Sequence, residues 1–181
     1  MDATERQLVL DHLDSSRTAL LQSVGHFTHP QWQFRPTEGQ WSPAENVEHV
    51  ILVETRILAA IQKMLTRPPQ PEKTAGLLAK DAMILNLAGR ETKFQAPEPV
   101  QPKGTWPDPA DLMAEFHLTR SRTAEFASST DGDLRSRVIP HMAFGDLDCY
   151  QWLLLLGRHC ARHTVQIEEV KAHPGFPQSP S

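Results

Sequence analysis

Proline lacks a backbone N–H and clashes with the preceding turn, so it starts or stops helices and is excluded from their interiors. Eight of the fifteen prolines in this chain fall between positions 68 and 109. The long stretches outside that zone are nearly free of proline. This distribution predicts two helices before a stiff central connection and two after it.

The predicted helices cover residues 4–24, 43–65, 109–128 and 147–173. In the first, Leu8, Leu13, Leu20 and Val24 form an apolar stripe. The second opens on a strong start signal. Ser42 is placed to cap, Pro43 occupies the first helical position, and Glu45 stands three residues after the cap. Val50, Val53, Ile57, Ala60, Ile61 and Met64 then recur at helical spacing. Asp108 is a cap for the third helix, which turns Leu112 and Phe116 inward, and Pro174-Gly175 stops the fourth. No strand signal competes. Arg137-Val138-Ile139 is too short and isolated to predict a sheet. The expected fold is all-α: a four-helix bundle with a long crossover between the second and third helices. A structureless connection of that length is uncommon, and its apolar segment at residues 77–88 predicts a short extra helix.

Composition narrows the function. With 181 residues the chain fits one domain, residues 1–181, large enough to build a core without staples. Lys+Arg 18 against Asp+Glu 22 gives a net charge of −4, which argues against nucleic acid as a partner. The apolar run at 152–156 is far shorter than the ~20 residues that span a bilayer, so no membrane role is expected. The opening residues show no basic stretch followed by an apolar one, and two cysteines make no disulfide framework. A cytoplasmic protein acting on a small molecule is the expectation.

Nine histidines then stand out. His159 and His163 are four residues apart on the fourth predicted helix, which puts both on one face, with Cβ atoms about 5–6 Å apart. The same face carries Trp152, Leu155, Leu156, Gln166, Ile167 and Val170, so it points inward. Taken alone, such a pair fits core packing as well as metal ligation. His49 lies one turn before Val53 on the inward face of the second helix. Three inward imidazoles are costly to bury unpaired, and one divalent ion would satisfy all three while leaving a position open for water or substrate.

Two runs resemble a known family. Trp41-Ser42-Pro43-Ala44-Glu45-Asn46-Val47-Glu48-His49 looks like the W-S-x-x-E-x-x-x-H segment of DinB-like proteins. His159-Cys160-Ala161-Arg162-His163-Thr164-Val165-Gln166-Ile167 is similar to their H-x-x-R-H-x-x-Q-I segment, and Phe144-Gly145 precedes it as expected. The resemblance to the DinB/YfiT-like superfamily covers nearly the whole chain. It implies a four-helix bundle, often a homodimer, with a divalent metal, zinc or nickel, on a three-histidine site. His49, His159 and His163 match the ligand positions. Characterised relatives include thiol-dependent S-transferases and isomerases that use a low-molecular-weight thiol, and other members are described as metal-dependent hydrolases. A non-catalytic metal-binding bundle and an interaction module with packed histidines are the competing readings.

Other residues carry weaker signals. Glu45, one turn before His49, is placed either to move a proton as a catalytic group or simply to complete the helix cap. Gln166 is a second catalytic or substrate-contacting candidate. Glu48 is rotated about 100° from His49, which predicts a solvated side chain. Arg158 and Arg162 form an i, i+4 pair that suits either an anionic substrate or an exposed surface. His141 falls in a loop that could cover one end of the bundle. His26 and His29 read as loop histidines, and His12, His117 and His173 as surface or rim residues. Cys149 and Cys160, about 16 Å apart along one helix, are beyond disulfide reach.

Overall fold

The computed structural model describes residues 1–87 and 95–178. Four long helices carry it: α1 (Ala3–Val24), α3 (Pro43–Leu65), α5 (Pro109–Ser129) and α6 (Cys149–Lys171). Two short ones, α2 (His29–Gln33) and α4 (Lys80–Leu85), lie in the connections. The long helices start where capping chemistry directs. Asp2 with Glu5, Ser42 with Glu45, and Asp148 with Gln151 each form a reciprocal capping box, and Asp108 accepts from the Ala110 N–H. The extra helix expected at 77–88 is shorter, a 3₁₀ turn at Leu77–Ala79 running into α4, and residue 88 lies outside the described residues.

Side-chain contacts fix the helix directions. Asn46 meets His163 and His49 meets His159, so α3 runs antiparallel to α6. Arg6 reaches the carbonyls of Ala127 and Ser128 while Arg120 reaches Leu13, so α5 is antiparallel to α1. Ser23 donates to Glu168, and Gly157 lies against His12, so α1 and α6 are parallel. A Cβ on Gly157 would sit 2.9 Å from the His12 carbonyl oxygen, which shows how closely the two backbones approach.

The apolar core falls into two clusters. One gathers Leu13, Ile61, Leu134, Leu147, Tyr150 and Leu153; the other gathers Leu20, Val47, Val50, Phe116 and Ile167. Along α1, α3 and α5 a buried polar layer separates them. Arg120 pairs with Glu54 at 2.9 Å, both side chains 3% exposed or less, and its guanidinium also donates to the Leu13 carbonyl and the Ser16 hydroxyl.

One sequence expectation is corrected. A small antiparallel sheet exists: β1 (Val138–His141) pairs with β2 (Gly145–Asp148), with His141 opposite Gly145. Gly145 takes φ 65°, the left-handed conformation that closes this short turn. The support comes from distant residues. Lys80 donates to the Phe144 and Asp146 carbonyls at 2.9 and 2.7 Å, and the Trp152 indole donates to the Ile139 carbonyl at 3.0 Å. Short strands held by contacts from other elements leave no periodic signal of their own. No helix among the described residues is long and apolar enough to cross a membrane.

Candidate metal centre

The capped start of α3 places Asn46 and His49 on one face, three residues apart. From α6 come His159 and His163. The nitrogen that each histidine can offer an ion lies within 4.8 Å of the others. The Nε2 atoms of His49 and His159 are 3.2 Å apart. Two nitrogens bound at ~2.0–2.1 Å to one tetrahedral ion stand about 3.3 Å apart, so this spacing suits a shared metal.

The hydrogen bonds behind the rings settle two tautomers. His49 Nδ1 is 2.7 Å from the Val100 carbonyl oxygen, which can only accept, so Nδ1 carries the proton and Nε2 presents a lone pair. The Asn46 amide donates through Nδ2 to the Ser42 carbonyl at 2.9 Å, which turns its Oδ1 toward His163 Nδ1, also at 2.9 Å. His163 therefore also faces the cluster with a bare Nε2. Such contacts orient metal-binding imidazoles and raise their basicity. Trp41 covers the group, its ring 4.8 Å from that of His49 and stacked at 6.1 Å on that of His163.

All three imidazoles are held neutral. Burial pushes His159 down to about 3, with help from His49, Arg162, Arg120 and His141. Burial also lowers His49, against the Val100 hydrogen bond, and lowers His163 well below the usual imidazole value, aided by the other two histidines. A cluster of neutral nitrogen donors with two preset lone pairs fits a borderline divalent ion such as zinc or nickel.

The histidines stand on the wall of a cavity of about 1020 Å³ between α3, α6, the β1–β2 hairpin and residues 95–102. Gln166 lines it. His141 also lines it, with its ring stacked at 4.5 Å on Phe144 and its Nδ1 accepting from the Ala143 and Phe144 N–H groups. Arg158, Arg162 and, at the far end, His173 are on the same wall. Glu45 is engaged elsewhere. Arg35 binds both of its carboxylate oxygens at 2.6 and 2.8 Å, and one of them also takes the Ser42 N–H. His29 opens α2, and His12 lies where α1 meets α6. Cys149 and Cys160 are buried thiols, pushed up to about 12 and about 11 by burial, so neither offers a thiolate.

Glu48 corrects the helical-wheel reading. It is 3% exposed, because residues 103–105 cover it. Its carboxylate accepts the backbone N–H groups of Lys103, Gly104 and Thr105 at 3.0, 2.9 and 3.1 Å and the Thr105 hydroxyl at 2.8 Å. Burial pushes this carboxyl up, but those hydrogen bonds outweigh it and the net direction is down. The contacts anchor the segment whose Val100 carbonyl holds His49. Glu48→Gln is expected to cost about 2 kcal/mol at pH 7. A depressed carboxyl stabilises above its unfolded pKa and loses that contribution as pH falls, so the gap between parent and variant should shrink toward pH 3. Urea titrations at several pH values read this, and a pH-independent gap would refute the assignment.

From sequence, Asn46 and Val100 had no role of their own, and Trp41 entered only as the first residue of a motif. Asn46 carried a usable signal, one turn before His49. The Val100 contact is made by a backbone oxygen, and no side-chain pattern records that.

Comparisons with known proteins show the family of the chain. The family model of the DinB superfamily matches residues 12–167, a span that contains all three histidines, and the chain belongs to that superfamily. It is also 30% identical over 139 residues to the uncharacterized protein YuaE of Bacillus subtilis (strain 168), covering 76% of this chain and 81% of that relative. No solved structure matches the chain.

Proposed function

We propose that the chain is a metal-dependent enzyme built on a four-helix bundle, and that it transfers or isomerises a small electrophilic substrate with the help of a low-molecular-weight thiol. The observation that carries this reading is the set of three neutral imidazoles, two with fixed tautomers, opening onto a cavity of about 1020 Å³. A closed structural site would surround its ion with protein ligands, whereas this one faces space for a ligand. His49, His159 and His163 would hold a divalent ion, and it would supply Lewis-acid chemistry that lowers the pKa of a thiol or water to give a nucleophile at neutral pH.

The protein's own groups do the rest. Asn46 and the Val100 carbonyl hold the rings in their donating tautomers. Trp41 shields the histidine faces from water. We read Gln166, on the cavity wall, as the group that hydrogen-bonds a substrate oxygen. We read Glu45 as a structural cap tied to Arg35. Homodimerisation and a cytoplasmic location complete the proposal, on the family resemblance.

Hydrolysis is the second reading, since the same centre would activate water. Elemental analysis of untagged protein, purified without chelator or a nickel column, should find about one zinc or nickel ion per chain. His159→Ala/His163→Ala should retain none while keeping its helical signal. Turnover of electrophiles only when a thiol is added would favour transfer, and turnover without thiol would favour hydrolysis. A metal-free parent that stays empty after incubation with either ion would remove both.

A further inference from the structure

The cavity differs in charge from the chain that builds it. The chain has a net charge of −4. Among the described residues lining the cavity, the charged side chains are three arginines, Arg56, Arg158 and Arg162, and one acid, Glu169. Arg158 and Arg162 bracket His159 on α6, one residue before and three after it. The Arg158 guanidinium is fixed by its Nη2 donating to the Leu87 carbonyl at 3.0 Å, while its buried Nε has no hydrogen-bond partner among the described residues. Arg56 is steadied by the Pro99 carbonyl at 3.1 Å.

Toward the hairpin the wall is apolar. Val53 and Ile57 from α3 face Trp152, Leu155 and Leu156 from α6. Trp152 lies two turns from His159, about 10 Å along the helix axis. The cavity thus combines a cationic flank at the histidines with an apolar trough leading away from them.

We propose that this cavity binds an organic anion with an apolar body, its carboxylate held at the Arg158–Arg162 flank and its aryl or alkyl part laid over Val53, Ile57, Trp152 and Leu155. The proposal rests on the reading of the cavity as the substrate site and deepens it by naming the substrate class. Three guanidinium groups, added to by any divalent ion on the histidines, repel a cationic ligand. A neutral isostere gains the apolar contact without the charge-assisted hydrogen bonds that arginine gives a carboxylate.

Calorimetric titration of the full chain with 4-phenylbutyrate, 4-phenylbutyramide and acetate, each with and without one equivalent of zinc, tests this. The phenylbutyrate should bind at least about tenfold more tightly than the amide, through hydrogen bonds to a charged partner. It should exceed acetate by a similar factor, through its buried phenylalkyl body. Arg158→Met should abolish the preference over the amide while amide affinity stays within about twofold, and Leu155→Ser should weaken both phenyl ligands. Arg162→Met serves as the second variant if Arg158→Met does not fold. Equal binding of carboxylate and amide, or no binding of either to the folded parent at millimolar concentration, would overturn the proposal. So would a preference that appears only with zinc and survives both arginine variants, because the carboxylate would then be an ion ligand. If His159→Ala/His163→Ala binds no zinc and still prefers the carboxylate, the anion site stands independently of the metal. If the parent binds no zinc yet shows the preference, the metal reading fails alone.

Discussion

Arg120→Met is expected to destabilise the protein by about 3–5 kcal/mol, because it leaves the Glu54 carboxylate buried without its partner. Glu54 is 2% exposed, and its neighbours along α3 belong to the apolar clusters. Burial already pushes its carboxyl above the ordinary value in the parent, against the pull of Arg120. Removing the guanidinium removes that pull, so the folded variant should hold the proton over a wider pH range. An acid whose pKa is raised on folding stabilises most below its unfolded pKa and loses that contribution as pH rises through the folded value. The deficit of Arg120→Met should therefore be largest near pH 8 and shrink toward pH 5. Glu54→Leu/Arg120→Met should recover most of the loss, since a buried pair replaced by apolar groups of similar volume is often neutral. Denaturant titrations of the parent, both single variants and the double variant form the cycle. A double variant as unstable as the sum of the singles would show that the two charges are not coupled.

Gly157→Val is the second large expectation. Even a bare Cβ would meet the His12 carbonyl oxygen at 2.9 Å and the carbonyl carbon at 3.0 Å. Those are backbone atoms of α1 and cannot rotate away, so the two helices must separate. Forcing extra carbons into a closed contact costs about 1–3 kcal/mol, and the branched side chain belongs at or above the top of that range. Alanine recovers up to ~1 kcal/mol in helix propensity over glycine, so Gly157→Ala should lose less. Thermal melts of the three proteins decide this. A valine variant as stable as the parent would mean that α1 and α6 tolerate a wider spacing.

The sequence displayed the long helices because their information is local. The Ser42-Pro43-Glu45 start sits on the chain where α3 begins. The expected 147–173 became Cys149–Lys171 because Asp148, not an earlier residue, caps α6 with Gln151. The histidines were legible for a related reason: helical spacing puts His159 and His163 on one face, and His49 shares the inward stripe of its own helix. What escaped depends on other elements. A helical wheel placed Glu48 in solvent because it cannot see residues 103–105 folding over that face. The hairpin depends on Lys80 and Trp152, far from either strand in sequence or outside it. Glu45 looked ambiguous until Arg35, ten residues upstream, took both of its oxygens.

The polar layer also acts as a ruler. Apolar side chains accept one another in many alignments, so greasy helix faces alone would let α3 slide past α5 at small cost. A carboxylate and a guanidinium do not: a slip of one turn, about 5.4 Å, would strand both charges in hydrocarbon. His49 lies five residues before Glu54 on the same helix, so the slip that separated Glu54 from Arg120 would also carry His49 away from His159. The aim of the histidine nitrogens is thus set on the opposite side of α3, by two side chains that never touch the site.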